Sequence, residues 1–245
     1  MPIRARAHVD EMQPYRPGKT PEQLMQALGL SKLINLSANE NPLGASPRAK
    51  EALVNALDTI HRYPNGACSV LRDALSEFYG LPPDHFVFGN GSDELIHLFG
   101  VAYLDPGDGL MMGQPSFVRY IASAQLNQAT LQAIPLTPDF RHDLEAMADA
   151  ITERTKLVYI ANPNNPTGTI VYRDELERFL ERVPDHVLVI LDEAYFEYAD
   201  HPDYPNGLDD VRAGRNVVVF RTFSKAYGLA GLRIGYAVGR PEVLD

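Results

Sequence analysis

Val187-Leu188-Val189-Ile190-Leu191-Asp192-Glu193-Ala194-Tyr195 is a run of branched aliphatic residues that stops abruptly at two carboxylates. A strand with one wet face alternates apolar and polar residues. This run does not, so it reads as a strand covered on both faces. Working outward, similar short runs occur at Phe86–Phe88, Leu110–Met112, Leu157–Ala161, Val217–Phe220 and Ile234–Val238. Helical patterns lie between them over 48–60, 69–79, 92–103, 117–127, 142–151 and 173–182. This alternation predicts an α/β fold with a mostly parallel central sheet. Such sheets bind ligands beyond the carboxyl ends of their strands, so chemistry is expected there. Residues 1–35 read as an arm with a short helix in PEQLMQALGL, and 36–245 as the main domain. The ending Gly239-Arg240-Pro241-Glu242-Val243-Leu244-Asp245 has the capping pattern of a helix just beginning. It predicts that more chain belongs after this point.

Composition narrows the function classes. The 245 residues are 45% hydrophobic and 22% charged, as in ordinary globular proteins. Net charge is −10, which makes nucleic acid and anionic membranes poor partners. Cys68 is the only cysteine, so no internal disulfide can form. No apolar run approaches a membrane span, and the N-terminus has no apolar leader, so cytoplasm is the expected location. The seven histidines are scattered without an i, i+4 pair, so no metal site is expected. Gly18-Lys19-Thr20 mimics the end of a phosphate-binding P-loop, but Gln13 stands where that motif needs glycine.

Four segments at predicted strand ends carry possible chemistry. In Phe88-Gly89-Asn90-Gly91-Ser92-Asp93-Glu94 two glycines precede a helix start. The segment suits either a plain capped turn or an anion held by free backbone N–H groups. Leu157–Ala161 runs into Asn162-Pro163-Asn164-Asn165-Pro166-Thr167-Gly168, a stiff loop rich in amides. It either merely turns or holds a ligand. Asp192 is either a cap or salt-bridge residue, or a functional acid whose desolvation needs a partner. Lys225, in Arg221-Thr222-Phe223-Ser224-Lys225, is either a solvated loop lysine or a desolvated nucleophilic amine. Arg233, eight residues on, has the geometry to grip a phosphate. Together they offer the groups that pyridoxal phosphate requires.

With these residues in place, the sequence resembles the fold-type I pyridoxal-phosphate aminotransferases, and among them the histidinol-phosphate aminotransferases. The resemblance runs through Asn39-Glu40-Asn41-Pro42, Arg62-Tyr63-Pro64, Gly91-Ser92-Asp93-Glu94, Asn164-Asn165-Pro166-Thr167-Gly168, Asp192-Glu193-Ala194-Tyr195 and Ser224-Lys225 with Arg233. It implies a three-layer sandwich and the cofactor pyridoxal 5′-phosphate. By position it implies that Lys225 bonds the cofactor and moves the substrate proton. Asp192 would pair with the ring nitrogen, and Asn165 and Tyr195 with the ring 3-oxygen. Ser92, Asp93, Thr222, Ser224 and Arg233 would hold the phosphate. Tyr63 would reach the phosphate of a neighbouring subunit, implying a homodimer with shared sites. Phe117 occupies the ring-stacking position, where the family commonly has Tyr, and Tyr15 would touch substrate.

The resemblance implies transamination between an amino donor, histidinol phosphate first, and the 2-oxo acid 2-oxoglutarate, in histidine biosynthesis. Alternatives are an aromatic or broad-range aminotransferase, a threonine-phosphate decarboxylase, or, in a different class, a non-catalytic cofactor-binding module. Family members carry a further small C-terminal domain with a substrate-clamping arginine. Its absence from these 245 residues predicts weak or no activity for the chain alone.

Overall fold

A computed structural model of the chain describes residues 3–10, 12 and 19–245; Tyr15, Gln13 and Gly18 lie outside them. Its centre is one sheet of seven strands: β1 (Phe86–Asn90), β2 (Gly109–Gln114), β3 (Thr130–Pro135), β4 (Thr155–Ala161), β5 (Leu188–Asp192), β6 (Val217–Thr222) and β7 (Ile234–Val238). The spatial order is β1-β7-β6-β5-β4-β2-β3. From β6 to β3 all neighbours are parallel. β7 is antiparallel to both β6 and β1, so β1 points the same way as the parallel set. β7 alone is reversed.

The unbroken apolar runs are explained by two separate cores, one on each face. In β5, Val189 and Leu191 enter one core, and Leu188 and Ile190 the other. In β6, Val217 and Val219 join the first, and Val218 and Phe220 the second. Strand side chains alternate faces, so every position must be apolar when both faces are dry. Leu176 and Phe179 from the Arg173–Arg182 helix pack on the first face. Leu95, Ile96 and Phe99 from Gly91–Tyr103 pack on the second, beside Tyr120 and Ala124 from Arg119–Leu126.

Helix boundaries follow capping chemistry. Thr20 and Gln23 form a capping box at Pro21–Leu28, a helix with no buried residue. The Ser46 hydroxyl caps Pro47–Ala56, and a single 3₁₀ turn, Leu57–Thr59, continues it. Ser69–Tyr79 stops at Gly80, whose φ of 63° suits glycine. The closing Pro241–Leu244 turn has proline in its first turn, as the capping pattern predicts. Two elements differ from the sequence reading. β3 is an edge strand with Gln132 at its centre, and its residues are mostly half-buried, so its apolar signal is diluted. The short Gly207–Arg212 helix carries too few residues to display a period.

One close backbone approach joins β7 to the helix that follows β1. A Cβ on Gly235 of β7 would lie 2.5 Å from the backbone of Gly91 and Ser92. Only glycine lets the Gly91–Tyr103 helix begin directly on β7.

His142 is buried, 7% exposed, and its Nε2 lies 3.0 Å from the carbonyl of Ala161 at the end of β4. Burial holds its pKa down at about 4, against an ordinary 6.5. The folded state therefore binds fewer protons than the unfolded chain between these values. The stabilisation is full above the unfolded pKa and is lost as pH falls toward the folded one. The loss from this group is about 3 kcal/mol at 1.36 kcal/mol per pKa unit. Urea midpoints measured against pH are expected to fall less steeply in His142→Gln than in the wild type; parallel curves would contradict this.

Candidate active site

The direction of the strands concentrates functional groups at one edge. β1, β2, β4, β5 and β6 all end there, Asp192 being the last residue of β5 and Ser92, Phe117, Asn165 and Lys225 following the ends of the other four. Reversed β7 starts there, so Arg233, immediately before it, returns to the same edge. A cavity of about 380 Å³ lies at this edge. Asp192, Lys225, Tyr195, Asn165, Phe117 and Ser92 all line it.

Asp192 is buried, and desolvation raises its pKa. Two donors oppose that rise. The Tyr120 hydroxyl donates to Oδ2 at 2.7 Å, and the Ala194 N–H donates to Oδ1 at 3.2 Å. The Lys225 ammonium attracts it from the same cavity. The Lys225 pKa is lowered, first by burial, then by the Arg233 charge, against the pull of Glu40 and Asp192. Its Nζ donates to the carbonyls of Asn39 at 3.2 Å and Ala38 at 3.4 Å. It also lies 5.5 Å from the centre of the Tyr195 ring. Burial pushes the Tyr195 phenol up, while the Asn39 amide donates to its oxygen at 3.0 Å and pulls it down.

The amide-rich loop divides its labour. Asn162 Oδ1 accepts from the Val171 N–H at 2.9 Å. Asn164 accepts from Ser116 Oγ at 2.7 Å and donates to Thr167 Oγ1 at 2.9 Å. Both amides are spent on the loop, and Asn165 is left facing the cavity.

The residues expected around a phosphate are arranged in layers. Ser92 lines the cavity at the start of a helix that no side chain caps, the end of a helix that favours an anion, while the Gly91 N–H donates to the Arg233 carbonyl at 2.9 Å. The Asp93 side chain turns away and pairs with Arg119. Thr222 and Ser224 are buried, their hydroxyls 3.0 Å apart. The Arg233 guanidinium lies over Gly91, where an added Cβ would come within 2.5 Å of Nη2. It lines an adjoining cleft with Phe88 and Asn90 rather than the main cavity. Tyr63 is fully exposed and touches none of these groups within its own chain.

Three contributors were not singled out from sequence. Tyr120 sits inside a helix, where residue type gives no signal of a role. Asn39 entered only as part of a resemblance. Arg221 is buried within β6, next to the Asp192-Glu193 pair. Strand alternation places Glu193 on the face opposite Asp192, where Arg221 Nη2 donates to Glu193 Oε2 at 2.7 Å. The Gly207 N–H and Asn206 side chain complete the network, and Phe196 lies 3.6 Å beneath the guanidinium. Among the described residues no cluster of three His, Cys, Asp or Glu side chains offers a metal site. No described helix is long and apolar enough to cross a membrane.

A second cavity, about 760 Å³, adjoins the first and shares Asn39, Asn165 and Tyr195 with it. Arg141, Asp139 and His201 give it a polar far wall. The site therefore combines a depressed lysine, an anchored acid, an aromatic face and an anion-binding helix start, with room beside them. That set suits covalent capture of a carbonyl compound bearing a cationic ring nitrogen and an anionic group.

Comparison with known proteins follows the same lines. Residues 31–245 match the family model "Aminotransferase class I and II". Histidinol-phosphate aminotransferase from Moorella thermoacetica is 48% identical over 98% of this chain and 62% of its own length. The one from Geobacillus thermodenitrificans is 46% identical over 94% of this chain and 63% of its length. The chain thus spans less than two thirds of the length of these relatives. Among solved structures, the Sinorhizobium meliloti histidinol-phosphate aminotransferase in complex with pyridoxal-5′-phosphate superposes with a TM-score of 0.88. It is 29% identical, and the match covers 98% of this chain and 64% of that one.

The Glu193–Arg221 pair yields a stability test. Removing one member of a buried pair strands the other charge, typically at about 3–5 kcal/mol. Arg221→Met is expected to lower stability by that order in urea unfolding. Adding Glu193→Gln to it is expected to restore part of the loss.

Proposed function

The chain belongs to the class I and II aminotransferase family, and from that premise we propose that it is a pyridoxal 5′-phosphate-dependent transaminase acting on histidinol phosphate and 2-oxoglutarate. The observation that carries this reading is the placement of Lys225 and Asp192 in one cavity, with Phe117 between aromatic packing and open space. The substrate assignment is supported by the 48% and 46% identities to histidinol-phosphate aminotransferases.

The residues fit the cofactor. The buried Asp192 carboxylate is short of a cation, and the Gly91–Ser92 backbone and Arg233 make a glycine-dependent cradle for an anion. In this reading Asp192 would accept a hydrogen bond from the ring nitrogen. Asn165 and Tyr195 would bind the ring 3-oxygen, and Phe117 would cover a ring face. Ser92, Asp93, Thr222, Ser224 and Arg233 would hold the phosphate through side chains and backbone. When bound, the cofactor supplies an electron sink for negative charge at the substrate Cα. Lys225 would anchor the cofactor covalently and, once released, carry a proton from the substrate Cα through Nζ. Burial favours its neutral form, which that task requires. The larger adjoining cavity would receive the rest of the amino donor.

A homodimer with shared sites belongs to the same reading. Ile34, Leu36, Leu43, Val54, Ile60 and Tyr63 are all well exposed along one part of the chain. A soluble monomer seldom leaves so many large apolar side chains wet, and a second copy would cover them. Tyr63 would then reach the partner's phosphate group. The proposed location is the cytoplasm, where biosynthetic amino donors and 2-oxo acids are made.

Titration with pyridoxal 5′-phosphate is expected to give an absorbance band near the visible edge from the Lys225 linkage, absent in Lys225→Ala. Histidinol phosphate is expected to discharge that band only slowly with these 245 residues alone, and 2-oxoglutarate to restore it. A wild-type spectrum identical to free cofactor would defeat the reading.

Sedimentation is expected to report a dimer at micromolar concentration, and Val54→Glu with Ile60→Glu to shift it toward monomer. A wild-type monomer throughout would exclude the shared site.

A further inference from the structure

We propose that Tyr120 is a positioning residue that fixes Asp192 as an oriented anion, ready for the protonated ring nitrogen of a ligand in the cavity. The inference rests on the cofactor reading above and assigns what keeps its acid in working form.

Geometry carries the argument. The Tyr120 hydroxyl donates to Asp192 Oδ2 at 2.7 Å, with both side chains buried. The Ala194 N–H takes the other oxygen, at 3.2 Å. Each carboxylate oxygen thus accepts one hydrogen bond from the protein and keeps a further lone pair, and Asp192 lines the cavity. The Tyr120 ring cannot swing away. It stacks on Tyr159 with centroids 4.4 Å apart and meets Phe117 edge-on at 5.7 Å. Phe117 and Tyr120 lie about one turn apart, so one short segment sets both the aromatic wall and the donor to the acid.

The type of donor matters. A buried carboxylate without hydrogen bonds takes up a proton. A cationic donor would keep it ionised but would neutralise it. A phenol stabilises the anion and leaves its charge available to a ligand. Burial and the Asp192 charge push the Tyr120 phenol far above neutrality, so it stays a donor. The other titratable groups around the pair are Lys225, Tyr195 and Tyr159. Only Lys225 among them can be cationic, and in that form it favours the ionised acid. Glu193 points to the opposite face and is matched there by Arg221.

The test uses wild type, Tyr120→Phe and Tyr159→Phe. One readout is pyridoxal 5′-phosphate affinity against pH, followed by absorbance. The other is a carboxyl-carbon NMR titration of cofactor-free protein, with Asp192 assigned through Asp192→Asn. In wild type Asp192 is expected to be ionised at neutral pH. Tyr120→Phe is expected to raise its titration midpoint. It should weaken cofactor binding about tenfold or more on the acid side of neutrality, as for a lost hydrogen bond to a charge. The deficit should shrink as pH rises, because alkali restores the anion. Tyr159→Phe loses a buried hydroxyl from the stacked ring without touching Asp192, and it should leave both readouts unchanged.

Equal midpoints in wild type and Tyr120→Phe would overturn the proposal, as would an equal shift in Tyr159→Phe. Should Tyr120→Phe not fold, the wild-type titration decides: an ionised Asp192 at neutral pH supports the proposal and a protonated one overturns it. A wild type that binds no cofactor, yet shows the NMR shift in Tyr120→Phe, would sink the functional reading and leave the Tyr120–Asp192 coupling standing.

Discussion

Two adjacent carboxylates, Asp192 and Glu193, are buried at the end of the central strand, and the rest of the site is organised around that burden. Burying an unpaired charge costs far more than most packing contacts return. Alternation sends the two acids to opposite faces of the sheet, so each needs its own remedy. Glu193 receives a full cation, Arg221, held by two hydrogen bonds. Asp192 receives only neutral donors and a more distant lysine. One acid is therefore neutralised within the fold. The other lines a cavity with no cation bonded to it, an arrangement that suits a binding group better than a purely structural one.

The sheet's single reversed strand has a consequence for the same edge. A wholly parallel sheet would start every strand at the far side and bring only carboxyl ends to the cavity. Because β7 runs backward between β1 and β6, its first residues reach the ligand edge too. Arg233 thus stands beside Gly91, and Gly235 lets the helix start press onto the strand. Two sources of positive potential, a helix N-terminus and a guanidinium, are brought together by one change of direction.

What could be read from sequence depended on whether a residue's surroundings were local. The runs at 157–161, 187–191 and 217–220 declared themselves because both sheet faces are dry, which removes charged residues from these positions. β3 did not, because an edge strand tolerates Gln132. Asp192 and Lys225 stood out as charged groups at the ends of apolar runs. Tyr120 did not, since a tyrosine on a helix facing the core is ordinary until the carboxylate above it is known. By residue type alone Asn162, Asn164 and Asn165 are equivalent, and only the family resemblance singles out Asn165. Their roles diverge only because the loop's own hydrogen bonds consume two of the three amides. Arg221 was hidden in the same way, as its partner lies on a different strand.

The lysine completes the physical picture. Its surroundings pull in both directions: burial and Arg233 favour the neutral amine, while Glu40 and Asp192 favour the ammonium. Burial is the largest influence, so the balance falls toward a nucleophile. A half-buried amine still needs acceptors for its N–H bonds, and the Ala38 and Asn39 carbonyls provide them. Those carbonyls belong to a segment that is itself pinned, by the Asn39 amide on Tyr195 and the Asn41 amide on the Ala226 carbonyl. The close approach of Gly228 to the Gly44 backbone fastens it further along. The Ser37–Ala45 segment is therefore part of the site. It directs the amine toward the acid and the aromatic wall, and it lets one side chain be both desolvated and held in place.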